Sequence, residues 1–123
     1  LERAIVTCCR MNRINLIGAD LTGADFSQSN MTEADLRNAN LAGARFQSTN
    51  LNGADLSRAV MPGADFTRAM IRDSMWVAAD LRGANFPQTS LHRFDFTMAR
   101  WDETTIFPAG FDPNNPGDRD VSN

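Results

Sequence analysis

The sequence has few of the residue types that build reactive or membrane-embedded sites. In 123 residues it has one histidine, His92, two cysteines and no tyrosine. One imidazole without other ligands near it in the sequence gives no metal site and no catalytic relay, so neither a metal nor a cofactor is predicted. No apolar run approaches the roughly 20 residues that span a bilayer, so no membrane segment is predicted.

Cysteine usage and charge narrow the possibilities further. Cys8 and Cys9 are adjacent, and a disulfide between neighbours closes a strained ring, so two reduced thiols are predicted. The net charge is −3, from 12 basic and 15 acidic residues, which indicates neither a nucleic-acid partner nor a membrane surface.

Because the chain begins with Leu1 rather than Met, we expect an excised domain or a processed product. The cytoplasm is the favoured compartment, with periplasm and thylakoid lumen as alternatives.

Repetition is what the sequence has in abundance. The six residues LTGADF at 21–26 return as LAGARF at 41–46, MPGADF at 61–66 and LRGANF at 81–86. Most bulky positions follow a small residue, usually Ala, Ser or Thr, two places earlier. Steps of five reach a bulky apolar residue every time: Met11, Leu16, Leu21, Phe26, Met31, Leu36, Leu41, Phe46, Leu51, Leu56, Met61, Phe66, Ile71, Trp76, Leu81, Phe86, Leu91, Phe96, Trp101 and Ile106.

A period of five fits neither regular structure. On an α-helix five residues rotate about 140°, which scatters the bulky side chains around the axis. On a straight strand an odd step sends them to alternate faces. Short extended pieces joined by corners bury both the small and the bulky residue, and four such pieces close a square of 20 residues. We therefore predict a solenoid of about five turns, hydrogen-bonded to one another about 4.8 Å apart.

This coil predicts the position of each repeated residue. One wall carries a column of aromatic rings, namely Phe26, Phe46, Phe66 and Phe86. The residue just before each bulky position points outward, which explains why Asp, Arg and Asn replace one another there. Outward charges of opposite sign in consecutive turns, such as Asp73 and Arg93, are expected to form exposed ion pairs worth about 0–1 kcal/mol each.

The repeats resemble the pentapeptide-repeat family, whose pattern is A(D/N)LXX. Matching segments are ADLTG, ADFSQ, ADLRN, ANLAG, ADLSR, ADFTR, ADLRG and ANFPQ, and the resemblance covers about residues 14–103. It implies a right-handed quadrilateral β-helix. The segment TIFPAGFDP at 105–113 is also similar to the C-terminal end of small cyanobacterial members.

An open coil exposes its core at both ends, so caps are expected. Residues 1–12 are predicted to form a short N-terminal α-helical cap, because apolar residues recur there at helical spacing: Leu1, Ala4, Ile5 and Cys8. The alternative extends the five-residue register back through Cys9 and Met11, and further to Ala4 and Val6.

The β-helix is assigned to 13–105, and residues 106–123 to a C-terminal cap and flexible tail. Phe94 and Trp101 are expected to enlarge the last turn, with Ile106, Phe107 and Phe111 folding over it. Self-association through this end is a further expectation.

No arrangement of residues predicts catalysis, and the chain is predicted not to be an enzyme. His92 falls at an outward corner, where it is interpreted as a surface residue. Asp35 and Asp55 should lie one strand spacing apart, and paired carboxylates can act as acid and base. The repeat itself accounts for Asp in that slot, so the structural interpretation is preferred.

Hydrophobic residues at outward positions, where the repeat usually has polar ones, are the best indication of function. Apolar residues occupy outward slots in the C-terminal half and predict a patch that binds an unidentified protein: Val60, Met75, Val77, Ala78 and Met98. The primary prediction is a protein-interaction or scaffold module. The alternative comes from the resemblance, since some family members protect DNA gyrase by mimicking DNA. B-DNA carries one negative charge per about 1.7 Å, and no wall of this coil has a continuous anionic stripe.

Overall fold

The backbone winds as a rectangular coil with a period of 20 residues. The structure is a computed structural model that describes residues 1–91, 93 and 95–114. Within these residues there is no helix and no extended strand; the walls are made of single parallel β-bridges. One wall contains, in order from the first turn to the last, Ile5, Asp25, Arg45, Asp65, Asn85 and Ile106. The solenoid predicted from the spacing is therefore confirmed.

From the second turn on, a typical bridge residue pairs both of its backbone groups with the preceding turn. The N–H of Asp25 donates to the carbonyl of Ala4, and the carbonyl of Asp25 accepts from the N–H of Val6. The same pair of bonds recurs on all four walls. The pattern ties every turn to the one before it without any continuous strand.

The corners are tight turns closed by a local hydrogen bond. The N–H of Ala24, for example, donates to the carbonyl of Leu21 at 3.0 Å. The second residue of most described corners has a positive φ, and at fourteen of them it is not glycine. Glycine is needed most at Gly83, where φ is +76° and an added Cβ would lie 3.3 Å from the nitrogen of Gly63.

The small and bulky residues fill the interior, as their spacing predicts. The rings of Phe46 and Phe86 lie on either side of Phe66, each with its centroid 4.9 Å from that of Phe66 and within 9° of parallel. Phe26 continues the column at 5.3 Å from Phe46. Such ring pairs add to the free energy gained from burying the rings.

Hydroxyl groups replace alanine at some inward slots and find backbone partners. Thr49 Oγ1 donates to the carbonyl of Phe26 at 2.8 Å, and Thr89 Oγ1 donates to that of Phe66 at 2.7 Å. Both threonines are fully buried. The inward small slot thus accepts a polar group when its hydrogen bond is satisfied.

The predicted N-terminal helix is wrong. Residues 1–12 follow the same turn-and-bridge pattern as the rest of the coil, with bridges at Ile5 and Arg10. Ala4 and Val6 hydrogen-bond to the second turn, so the alternative register holds from the first residues. Pairing with the second turn satisfies backbone groups and partly buries Val6, whereas an isolated helix of about twelve residues is only marginally stable in water.

The first turn consequently has an open edge. Among the described residues, no group pairs with the backbone N–H or carbonyl of the first four bridge residues, Ile5, Arg10, Asn15 and Asp20. Apolar side chains are exposed there as well: Leu1 retains 58% of its surface and Ile5 79%.

At the C-terminal end the register shifts by one residue. Asn85 pairs with Ile106, a separation of 21 rather than 20. Ile106 was expected inside, but it takes the outward bridge slot and is exposed. Phe107 occupies the inward slot instead, stacked on Phe86 at 6.1 Å. Thr105 Oγ1, donating to the carbonyl of Leu81, fills the preceding small slot.

Phe111 covers part of this end. It is buried, and its ring lies 5.1 Å from that of Phe107 and 5.7 Å from that of Phe96. The expectations for Phe94, for His92 and for a flexible tail over 115–123 lie outside the described residues.

Candidate functional site

The outward bridge residues explain the preference for Asp and Asn. In most turns their side chain accepts a hydrogen bond from the backbone N–H two residues later, at the corner. Asp20 Oδ1 accepts from Thr22 N at 3.1 Å, and Asn50 Oδ1 accepts from Asn52 N at 3.0 Å. The same corner bond starts at Asn15, Asp25, Asn30, Asp35, Asn40, Asp55, Asp65, Asp80 and Asp95. These polar residues therefore have a structural role.

A few outward bridge residues are hydrophobic and do not make this corner hydrogen bond. Val60, Met70 and Met75 are 41%, 44% and 46% exposed, respectively. Val60 and Met75 each interrupt a column of Asp and Asn, and Met70 lies between Asn50 and Ser90. None of the three has a side-chain oxygen for the corner bond. Their presence is therefore not explained by the repeat, which makes them candidates for contact with another molecule.

The structure brings part of the predicted patch together. Met75 and Val77 line one shallow groove. The polar side of that groove consists of Arg37, Asn38, Ser57 and Arg58. Ala78 and Met98 occupy equivalent corners in consecutive turns, since Ala78 N donates to the carbonyl of Thr97. Met98 is 78% exposed.

Val60 lies in a different groove. Its neighbours there include Asn40, Pro62, Asp80 and Arg82, and neither Met75 nor Val77 lines that groove. The five predicted residues are thus divided between two adjacent walls and the corner that joins them. We call Met75, Val77, Ala78 and Met98 the corner patch.

Sequence reasoning missed the two arginines of the groove. Arg37 and Arg58 lie at the same corner of the coil in two consecutive turns. Val77 and Ala78 form that corner in the next turn. The register alone gives this neighbourhood, because corner residues 20 apart stack. The 20-residue spacing therefore already placed both arginines beside Val77 and Ala78, but the prediction considered only hydrophobic residues.

Arg37 neutralises the carboxylates beside the groove. Its Nη2 lies 2.6 Å from Asp35 Oδ2 and its Nε 4.0 Å from Asp55 Oδ2. The hydrogen bond from Arg37 lowers the pKa of Asp35 below its usual value. A carboxylate held in its ionised form in this way is a poor general acid, so Asp35 is unsuited to that role.

Other charged columns are also compensated. Arg45 stands between Asp25 and Asp65 in consecutive turns. Arg82 lies 2.6 Å from Asp80. The predicted pair of Arg93 and Asp73 is present, with Nε and Oδ1 2.8 Å apart.

Within the described ranges there is no group of His, Cys, Asp and Glu arranged to hold a metal ion. Cys8 and Cys9 are both exposed and free. The part of the chain that the structure describes also has no helix of the length and apolar character that crossing a membrane requires.

Comparison with known proteins matches this architecture. The family described as "Pentapeptide repeats (8 copies)" matches residues 9–47 and 39–74. A pentapeptide repeat protein of the Arabidopsis thaliana thylakoid lumen is 30% identical, with a TM-score of 0.65 over 80% of this chain and 67% of that one. Rfr23 of the cyanobacterium Cyanothece 51142 is 22% identical, with a TM-score of 0.61 over 85% and 88%.

A more distant similarity is to QnrB1, a plasmid-mediated fluoroquinolone resistance protein. It is 15% identical over 84% of this chain and 82% of that one, with a TM-score of 0.35. That score is too low to support an argument about function. A search of curated proteins gave no significant match.

Proposed function

Because the chain belongs to the pentapeptide-repeat family, whose members form right-handed quadrilateral β-helices, we propose that it is a non-catalytic protein-interaction module. Its partner contacts the corner patch. The rod supplies a rigid surface, and the described residues offer no catalytic arrangement that competes with this interpretation.

The observation that carries the proposal is the exposure of large apolar side chains in slots that the repeat reserves for polar ones. Met75 separates Asp55 from Asp95 on one wall, and Met98 protrudes at the adjoining corner. Scattered single apolar residues are normal on protein surfaces. Here Met75 and Val77 line the same groove, which supports a shared contact area.

Two matched substitutions test the proposal. Met75→Asn replaces the groove methionine with a residue that the bridge slot accepts, and Met70→Asn makes the same change on another wall. The two methionines have nearly equal exposure, 46% and 44%. Proteins captured from a native extract should be lost with Met75→Asn and with Val77→Asp, but retained with Met70→Asn. Equal recovery by all variants would reject the corner patch as a binding surface.

The alternative, a DNA mimic that binds a type II topoisomerase, has less support. Mimicry of DNA requires a continuous series of uncompensated negative charges. Arg37, Arg45 and Arg82 instead stand beside carboxylates on three of the walls. A gyrase supercoiling and binding assay separates the two hypotheses, and absence of binding at micromolar concentration would remove the alternative.

Self-association through the C-terminal end stays a prediction. Phe111 is buried across part of that end, which reduces the apolar surface available for a second copy. Light scattering of the full chain tests it directly, and the mass of a monomer at high concentration would contradict it.

A further inference from the structure

The corner patch has a charged neighbour whose charge is not compensated. Of the two arginines in the groove, Arg37 pairs with Asp35 and Asp55. Arg58 is exposed, and among the residues that the structure describes it has no ion-pair partner. The groove therefore combines two apolar side chains, Met75 and Val77, with one arginine that has no ion-pair partner among the described residues.

The register sets the distance between the backbone positions of Arg58 and of the exposed Met98. Arg58, Ala78 and Met98 occupy the same corner position in three consecutive turns, each with positive φ. Arg58 N donates to the carbonyl of Val77, and Ala78 N donates to that of Thr97, so the turns are directly stacked. Two strand spacings place Arg58 and Met98 about 10 Å apart along the rod.

We infer that the partner presents an acidic amphipathic helix, with a carboxylate against Arg58 and a large apolar side chain against Ala78 and Met98. This inference rests on the proposed function and specifies the chemistry of the partner. Residues seven apart on an α-helix are separated by about 10.5 Å on one face, which matches the distance along the corner. The carboxylate supplies orientation, and the apolar contact supplies most of the binding free energy.

Selection from a displayed library of random 16-residue helical peptides tests the inference. Peptides that bind the wild-type chain are first sorted by their loss of binding to Val77→Asp. The sorted peptides should carry Asp or Glu seven residues from Leu, Ile, Met or Phe. Their affinity should fall about tenfold or more with Arg58→Glu, and should recover when the peptide's acidic residue is changed to Arg.

Arg68→Glu is the matched control, because Arg68 has the same corner position and positive φ at a different corner. It should leave the affinity of the sorted peptides unchanged. Peptides that depend on Val77 but carry no acidic residue, or that tolerate Arg58→Glu, would overturn the inference and leave the proposed function standing. A selection that yields no Val77-dependent peptide would count against both.

Discussion

Asn85 and Pro87 form a corner in which the usual side-chain bond is missing. Asn85 Oδ1 is buried and has no hydrogen-bond partner in the described structure. Elsewhere the N–H two residues later donates to this oxygen, but Pro87 has no N–H. The same residue type at Asn50 makes the bond, to Asn52 N at 3.0 Å. Identical side chains in equivalent slots therefore differ in their hydrogen bonding, and we expect them to differ in their contribution to stability.

We expect Asn50→Ala to lower the free energy of unfolding by about 1 kcal/mol, because it removes a satisfied corner bond. Asn85→Ala should change it by less than about 0.5 kcal/mol, since it removes an acceptor that is not used. Urea denaturation followed by circular dichroism measures both. Equal losses in the two variants would show that the corner bond contributes nothing.

The glycine corners give a second matched pair. Gly43 and Gly83 have φ of +64° and +76°, but an added Cβ meets nothing within 4 Å at Gly43, whereas at Gly83 it approaches the backbone of Gly63 and Pro62. Gly43→Ala should cost about 1 kcal/mol for the left-handed conformation. Gly83→Ala should cost about 2–3 kcal/mol, because backbone strain adds to it. Denaturant midpoints of the two variants decide, and a smaller loss at Gly83 would contradict the predicted crowding.

The phenylalanine column should depend most on its central ring. Phe66 contacts a ring on both sides, whereas the ring of Phe26 stacks in this column only on Phe46. Phe66→Ala should destabilise the chain by about 3–5 kcal/mol, the range for deleting a buried ring. Phe26→Ala should cost less by roughly the 0.5–1.5 kcal/mol of one ring pair. Thermal denaturation ranks the two, and the reverse order would be inconsistent with a stacked column.

Acid should destabilise the fold through its corner carboxylates. Hydrogen bonds from Thr22 lower the pKa of Asp20, and hydrogen bonds from Arg82 lower that of Asp80. A folded-state pKa below the unfolded value means that the stabilisation is complete above the unfolded pKa, about 3.9. It is lost as the pH falls through the lower, folded-state pKa.

The melting temperature should therefore be constant above about pH 5 and fall progressively below about pH 4. Asp20→Asn retains the oxygen that accepts from Thr22 N but does not titrate. With Asp20→Asn and Asp80→Asn together, the fall between pH 4 and pH 2 should be smaller than in the wild type. An identical pH profile would show that these carboxylates do not govern acid stability.

The repeat made the coil and its core predictable because each inward slot recurs in every turn. Phe46, Phe66 and Phe86 are 20 residues apart, and a period of 20 leaves little choice of position. Ile106 was misplaced because one extra residue precedes it, and a fixed step of five cannot register an insertion. Two residues indicated the insertion. Thr105 and Phe107 fit the small and the bulky inward position of this turn only when the register is shifted by one residue.

The N-terminal error has a different origin. In a window of twelve residues, Leu1, Ala4, Ile5 and Cys8 fit a helical period, while Ala4, Val6, Cys9 and Met11 fit the coil. Local spacing does not decide between them, and the hydrogen bonds to the second turn do. The candidate site was only partly predictable for a related reason: the sequence identifies outward slots, but their grouping into separate grooves depends on how side chains lean across the walls.

The two ends of the rod differ in how easily further turns can be added. At the first turn, backbone groups are unpaired at Ile5, Arg10, Asn15 and Asp20. A further turn with the same five-residue pattern, joined ahead of Leu1, would meet unpaired backbone donors and acceptors on every wall. It would not displace any buried side chain. At the opposite end Phe111 packs on the rings of Phe96 and Phe107, so the same extension would first have to move Phe111. Lengthening this solenoid by added repeats is therefore structurally simple in one direction and disruptive in the other.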